Sequence, residues 1–186
     1  MIILVHNNIK TVKVFIDGVE FKEYRSKNIL TAFKEVVEKY SNEIVFWCDE
    51  RVYHLLNTKE VFNSLNIDNK ILSFSLSNNE FTKKIGYLDY SPFININRNV
   101  TYPTWIISDL VGCTKTSLLK SIDSKFWEIK RFDIFLLSLG KHYHNQGIFS
   151  YSEPKLLERN DLKRDLVQSK YHQTAQNKHV CAVWLH

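Results

Sequence analysis

The stretch "EIVFWCDE", residues 43–50, decides how the rest of the chain is read. Its unbroken apolar run predicts a fully buried strand, and that strand ends on two acids, Asp49 and Glu50. Just before it, "NILTAFKEVVEKY" (28–40) places Ile29, Leu30, Phe33, Val36, Val37 and Tyr40 at helical spacing, with Ser26 or Asn28 available as the cap. Further upstream, "MIILVHN" (1–7) reads as a short buried strand. In "KTVKVFIDGVEF" (10–21), Asp17-Gly18 is a turn signal between two extended pieces.

Downstream the pattern is less regular. "RVYHLLNTKEVFNSLNI" (51–67) predicts a broken helix and "KILSFSLS" (70–77) a strand. Residues 83–105 alternate between strand and loop character, with Pro92 and Pro103 limiting any helix. "CTKTSLLKSI" (113–122) predicts a short helix preceded by Gly112. Residues 132–143 form a longer helix with Phe132, Phe135, Leu136 and Leu139 on one face, ended by Gly147. "IFSYSEPKLL" (148–157) is extended. Strands alternating with helices favour an α/β sandwich, mostly parallel, with an extended insertion in the middle. The remainder, 161–186, reads as a polar or helical tail, loosely ordered or truncated.

The bulk numbers agree with a folded chain. Its 186 residues suit one ordinary domain, and 44% hydrophobic with 24% charged residues is a globular composition. Five glycines and three prolines argue against low-complexity linkers. The opening has the wrong order of charge and apolar residues for a signal peptide, and no run reaches the ~18 apolar residues of a membrane span. Cys48, Cys113 and Cys181 are far apart, without metal-like spacing, which suggests reduced thiols. A soluble, cytoplasmic chain is therefore expected, with the inner face of a membrane as a possible station. The formal charge of +5 permits anionic partners, but the basic residues are scattered rather than striped. A nucleic-acid or membrane-surface module is accordingly the least favoured reading, and no nucleic-acid partner is expected.

Three stretches carry candidate chemistry. Asp49 and Glu50, beyond the carboxyl end of a strand, are hard oxygen ligands suited to Mg²⁺ or Mn²⁺ against a diphosphate; the plain alternative is a solvated loop, which the adjacent Arg51 favours. In "TYPTWIISDLVGCTKTSLL" (101–119), Tyr102 and Trp105 offer stacking faces, Asp109 accepts hydrogen bonds from hydroxyls, and Gly112 permits close approach of a ligand. The alternative is that the aromatics are core and Val111-Gly112 is a tight turn. Third, Asp133 opens the most apolar helix, either as helix punctuation or as a general base facing a cleft. His142 and His144 are two apart on a helix and cannot pair on a metal, His6 and His54 have no visible partner, and no G-x-S-x-G, P-loop or G-x-G-x-x-G occurs.

Taken in order, "EIVFWCDE", "SDLVGCTKTSLL" and "KRFDIFLLSLGKHYHNQGIFSYSEP" resemble the motifs of a family 2 glycosyltransferase of GT-A type, in a small and divergent form. The resemblance covers roughly residues 1–157 and is strongest over 102–157. It implies a GT-A-like three-layer α/β/α sandwich over 1–160, with a mostly parallel, mixed central sheet. It implies an inverting transfer of sugar from a nucleotide-sugar donor to a glycan or glycoconjugate acceptor. On that match Asp133 is the base, Asp49 and Glu50 hold a divalent metal (Mn or Mg), and Tyr102, Trp105, Asp109 and Gly112 line the substrate side. Cys48 stands where the metal motif has its first acid, and Phe132 where a second acid precedes the base. A degenerate GT-A-fold module that binds glycan, nucleotide or protein without catalysis is the alternative.

Overall fold

The structure, a computed structural model, describes residues 1–59, 69–75 and 99–158. The expected tail (161–186), the second half of the broken helix and most of the expected insertion lie outside the described residues. So does Cys181.

Among the described residues eight strands form one sheet: β1 (Ile2–His6), β2 (Thr11–Ile16), β3 (Val19–Glu20), β4 (Ile44–Asp49), β5 (Lys70–Phe74), β6 (Tyr102–Thr104), β7 (Val111–Lys115) and β8 (Phe149–Ser152). Their order across the sheet is β3-β2-β1-β4-β7-β5-β8-β6. The fold is α/β with a mixed sheet. Only β1–β4 and β5–β8 pair in parallel; the other five pairings are antiparallel, so the expected parallel majority is not what forms. The reason is the insertion of β7. It arrives from the loop before it and descends between β4 and β5, antiparallel to both.

Local chemistry explains the elements. Asp17 and Gly18, at φ 49° and 83°, make the left-handed turn that joins β2 to β3. Helix α1 (Ile29–Lys39) is capped by Asn28, whose side chain accepts from the N–H groups of Leu30 (2.9 Å) and Thr31. Helix α2 (Thr116–Lys120) follows β7 directly. Helix α3 (Phe132–Asn145) starts after Arg131. "IVFWCD" is buried from Val45 onward, as its composition predicts.

The two faces of the sheet are covered differently. Val45 and Trp47 point to the face where α1, α2 and α3 pack, together with Ile2, Leu4, Val14 and Ile71. Phe46 and Cys48 point to the other face, closed by Val52, Leu110, Leu156 and Leu157. Short segments cover that second face: Asn57 N–H donates to Leu156 O (2.9 Å) and Glu158 N–H to Leu55 O (2.9 Å). Among the described residues all three α-helices contribute to the first face only. None of them is long and apolar enough to cross a membrane.

Gly112 has a packing role that its sequence context disguised. It lies inside β7, opposite Trp47, rather than in a turn. A Cβ there would sit 2.2 Å from the Trp47 ring and 2.8 Å from Leu72 O. The close approach it permits is that of an indole, not of a ligand. Trp47 in turn donates from Nε1 to Ser108 O (2.8 Å), which ties the segment before β7 to the sheet.

Candidate functional site

The carboxyl ends of the parallel neighbours β1 and β4 carry His6 and Asp49 in register. Both side chains are buried, and both follow Leu4 and Trp47 onto the helix-bearing face. His6 meets Phe132, the first residue of α3, with ring centroids 5.0 Å apart in an edge-to-face contact. The start of α3 is thereby set against the end of β1.

The segment leading into β7 closes the other side. Ser108 N–H donates to Ser73 Oγ (3.0 Å), and Leu110 N–H to Ser108 Oγ (3.1 Å). Asp49 N–H donates to Leu110 O (2.7 Å), and Glu50 N–H to His6 O (2.9 Å). These bonds hold Asp109, itself buried, beside the His6–Asp49 pair.

Asp49 is fully engaged by Arg51. Its Oδ1 accepts from Arg51 Nε (2.7 Å) and from the Arg51 main-chain N–H (3.0 Å), and its Oδ2 accepts from Nη2 (2.8 Å). Burial pushes this carboxyl up, but the hydrogen bonds and charge of Arg51 and the neighbouring His6 outweigh it. The group is held below the ordinary carboxylate value. His6 goes the opposite way. Burial lowers it from 6.5 to about 4, against the charge of Asp49 and the Asp109 main-chain group, so the imidazole is neutral near pH 7. Its Nδ1 accepts from Asn8 N–H (3.0 Å), which puts the proton on Nε2. That Nε2 is buried toward the Asp109 main chain, but makes no well-formed hydrogen bond to it or to any other described residue.

At the start of α3 the same chemistry recurs in reverse order. Arg131 Nε donates to Asp133 Oδ1 (3.1 Å), and Nη2 bonds Oδ2. Asp133 Oδ1 also accepts from Ile134 N–H (2.9 Å). Arg131 is held above its ordinary value by the hydrogen bond to Asp133, and the charge of Asp109 contributes as well. The acids Asp49, Asp109 and Asp133 are thus linked through His6 and the two arginines.

The other expected site residues lie elsewhere. Tyr102, on the edge strand β6, pairs with Ser152 of β8 and lies four strands from β4, roughly 19 Å away. Trp105 leaves β6 at the opposite end of the sheet. The register runs from Thr104 through Ser150 and Ile71 to a level beside Leu72, Cys113 and Phe46, well short of Asp49. Trp105, 46% exposed, lies against His144 near the end of α3, with ring centroids 4.6 Å apart. Gly112 is shielded by Trp47. Glu50 is exposed, and its main-chain N–H is what ties it to the site, through His6 O.

Sequence reasoning passed over three members of the cluster. His6 has no visible partner in the sequence, Arg51 counts there only in favour of a solvated loop, and nothing singles out Arg131. A usable signal exists: "DER" and "RFD" both place arginine and aspartate two apart.

The acids do not fit a divalent ion as they stand. Both Asp49 oxygens already accept from Arg51, and among the described residues no group of three His, Cys, Asp or Glu side chains gathers to hold a metal. The buried thiols are equally unsuited to chemistry: Cys48 is pushed up to about 12 by burial and the charge of Asp49, and Cys113 well above its ordinary value.

No family model, no curated protein and no solved structure matches the chain.

Proposed function

We propose that this chain is a glycosyltransferase that moves a sugar from a nucleotide-sugar donor to a glycan or glycoconjugate acceptor, with inversion. The observation that carries the proposal is convergence. Asp49, Asp109 and Asp133 come from three distant segments, and they meet at the carboxyl ends of β1 and β4 beside the start of α3. Open α/β sheets bind ligands at that edge.

In this reading the acceptor hydroxyl attacks the anomeric carbon as the nucleoside diphosphate departs. Asp133 takes the hydroxyl proton, for which Arg131 must first give up its ion pair. The guanidiniums of Arg131 and Arg51 oppose the charge that builds on the leaving group. A GT-A-like three-layer arrangement and association with the inner face of a membrane, where acceptors of this kind are met, belong to the same proposal.

The test is release of the nucleotide, as UDP, GDP or dTDP from the corresponding diphosphate-linked sugars and as CMP from CMP-linked ones. Asp133→Asn keeps the geometry and the ability to cap, but cannot take the proton. A fall of about 10²–10⁴ in turnover, with donor binding retained, is the expected result. Unchanged turnover removes Asp133 from the chemistry.

One observation favours a second reading, a binding module without turnover: Asp49 and Asp133 are both locked in ion pairs. It predicts a nucleotide-induced rise in Tm with no release of diphosphate from any donor.

A further inference from the structure

We infer that the turn 7–10, between β1 and β2, is a proton-operated latch: the bond from Asn8 N–H to His6 Nδ1 holds it shut, and a second proton on the imidazole releases it. The latch operates whether or not the chain transfers sugar.

Most bonds of this turn serve its own shape. Asn7 Oδ1 accepts from Ile9 N–H (3.2 Å) and Lys10 N–H (3.0 Å), and Asn7 N–H donates to Lys10 O (3.1 Å). Among the described residues the turn is tied outward at two points. Asn8 N–H donates to His6 Nδ1 (3.0 Å) at the end of β1. Ile9 O accepts from Ile29 N–H (3.1 Å) at the start of α1, beside a bridge between Lys10 and the cap Asn28. Asn8 stands at φ 69°, in the left-handed region that a non-glycine residue occupies at a cost. Ile9 is 66% exposed, so packing does little to hold the tip.

The imidazole accepts this bond only while neutral. Its one proton is on Nε2, toward the Asp109 main chain, so a second proton must enter at Nδ1. There it meets the Asn8 N–H, donor against donor, and the bond becomes a repulsion. The groups around the ring do not replace what is lost. Asp49, at the end of β4, favours the imidazolium, but both its oxygens accept from Arg51, whose own charge opposes a second cation. The Asp109 main chain faces Nε2 in either state, and α3 presents only the apolar ring of Phe132. Burial outweighs the favourable charges and keeps the closed form neutral down to about pH 4. Once the turn swings away, water reaches the ring and its affinity for the proton returns toward the ordinary value. Opening therefore grows on the order of 10²-fold as pH falls from 6.5 to about 4.

Amide hydrogen exchange at increasing urea separates the latch from unfolding. The amides of Asn8 and Ile29 are expected to exchange about 10²-fold faster at pH 4 than at pH 7, after correction for intrinsic rates, with no dependence on urea. Those of Leu4 and Phe46, in the core strands, open only by urea-dependent unfolding. His6→Asn sets an oxygen near the position of Nδ1 and cannot titrate, so the pH response of Asn8 disappears. In the unaltered chain, the nitrogen–nitrogen scalar coupling across the Asn8–His6 bond is expected at pH 7 and is lost in step with the faster exchange. If His6→Asn does not fold, that coupling decides alone. Exchange of Asn8 that ignores pH, opening of Asn8 and Ile29 only together with the core strands, an acid response that survives in His6→Asn, or no coupling at pH 7 would each overturn the inference.

Discussion

Two aspartate–arginine pairs, each two residues apart, stand at the same end of this molecule and differ chiefly in burial. Asp49 ends the central strand β4 and is 4% exposed, whereas Asp133 lies in the first turn of α3 and is 35% exposed. Each carboxylate accepts from both the Nε and the Nη2 of its arginine. The chemistry is the same, and the surroundings decide what it is worth. A buried pair resists exchange, because removing one partner strands a charge away from water. A half-exposed pair is replaced by solvent at little cost. Asp49–Arg51 is therefore suited to a fixed structural charge, and Arg131–Asp133 to a contact that a ligand can open.

The sharpest way to break this comparison is to truncate each arginine. Arg51→Ala leaves Asp49 without its partner and is expected to cost about 3–5 kcal/mol in urea unfolding at pH 7. The Asp49 carboxyl is held below its ordinary value. The pair's contribution is thus present above about pH 4 and lost as pH falls through the lower folded value, so the penalty for Arg51→Ala shrinks at pH 3. A loss under 1 kcal/mol at pH 7 would show that burial does not set the worth of this pair.

His6 sharpens the same contrast through pH. Its folded value near 4 lies below the unfolded value of 6.5, so the unfolded chain binds the proton first as pH falls. Stability is full above pH 6.5, declines between 6.5 and 4, and levels off below. The span corresponds to about 3 kcal/mol. His6→Gln is expected to flatten that limb of the Tm–pH curve; an unchanged limb would assign it to other groups.

The smallest effect belongs to the exposed pair. Arg131→Ala is expected to change stability by about 0–1 kcal/mol, because solvent takes over the contact. A loss comparable with that of Arg51→Ala would erase the distinction between the two.

Much of the scaffold is legible in local patterns. The apolar run of 44–48, the 3.6-residue spacing of α1 with its Asn28 cap, and the Asp17-Gly18 turn all act over a few residues, and each appears where the pattern places it. The site is legible only in part. Asp49, Asp109 and Asp133 are conspicuous because each is an acid at the end of an apolar stretch, and the fold does gather them. Trp105 and Gly112 misled because their chemistry is ambiguous in isolation. An aromatic beside a proline stacks on a sugar or on His144 equally well, and a glycine admits a ligand or the Trp47 indole.

By itself, the sequence determined which segments form strands, helices and turns and which of their faces are apolar: hydrophobic periodicity, turn residues and caps are short-range properties that the chain carries wherever it goes. The tertiary structure alone decided that β7 descends antiparallel between β4 and β5, that Trp47 lies over Gly112, and that Arg51 fills the coordination sphere of Asp49. Strand direction and charge pairing depend on what lies across a sheet or within a few ångströms in space. Sequence spacing records neither.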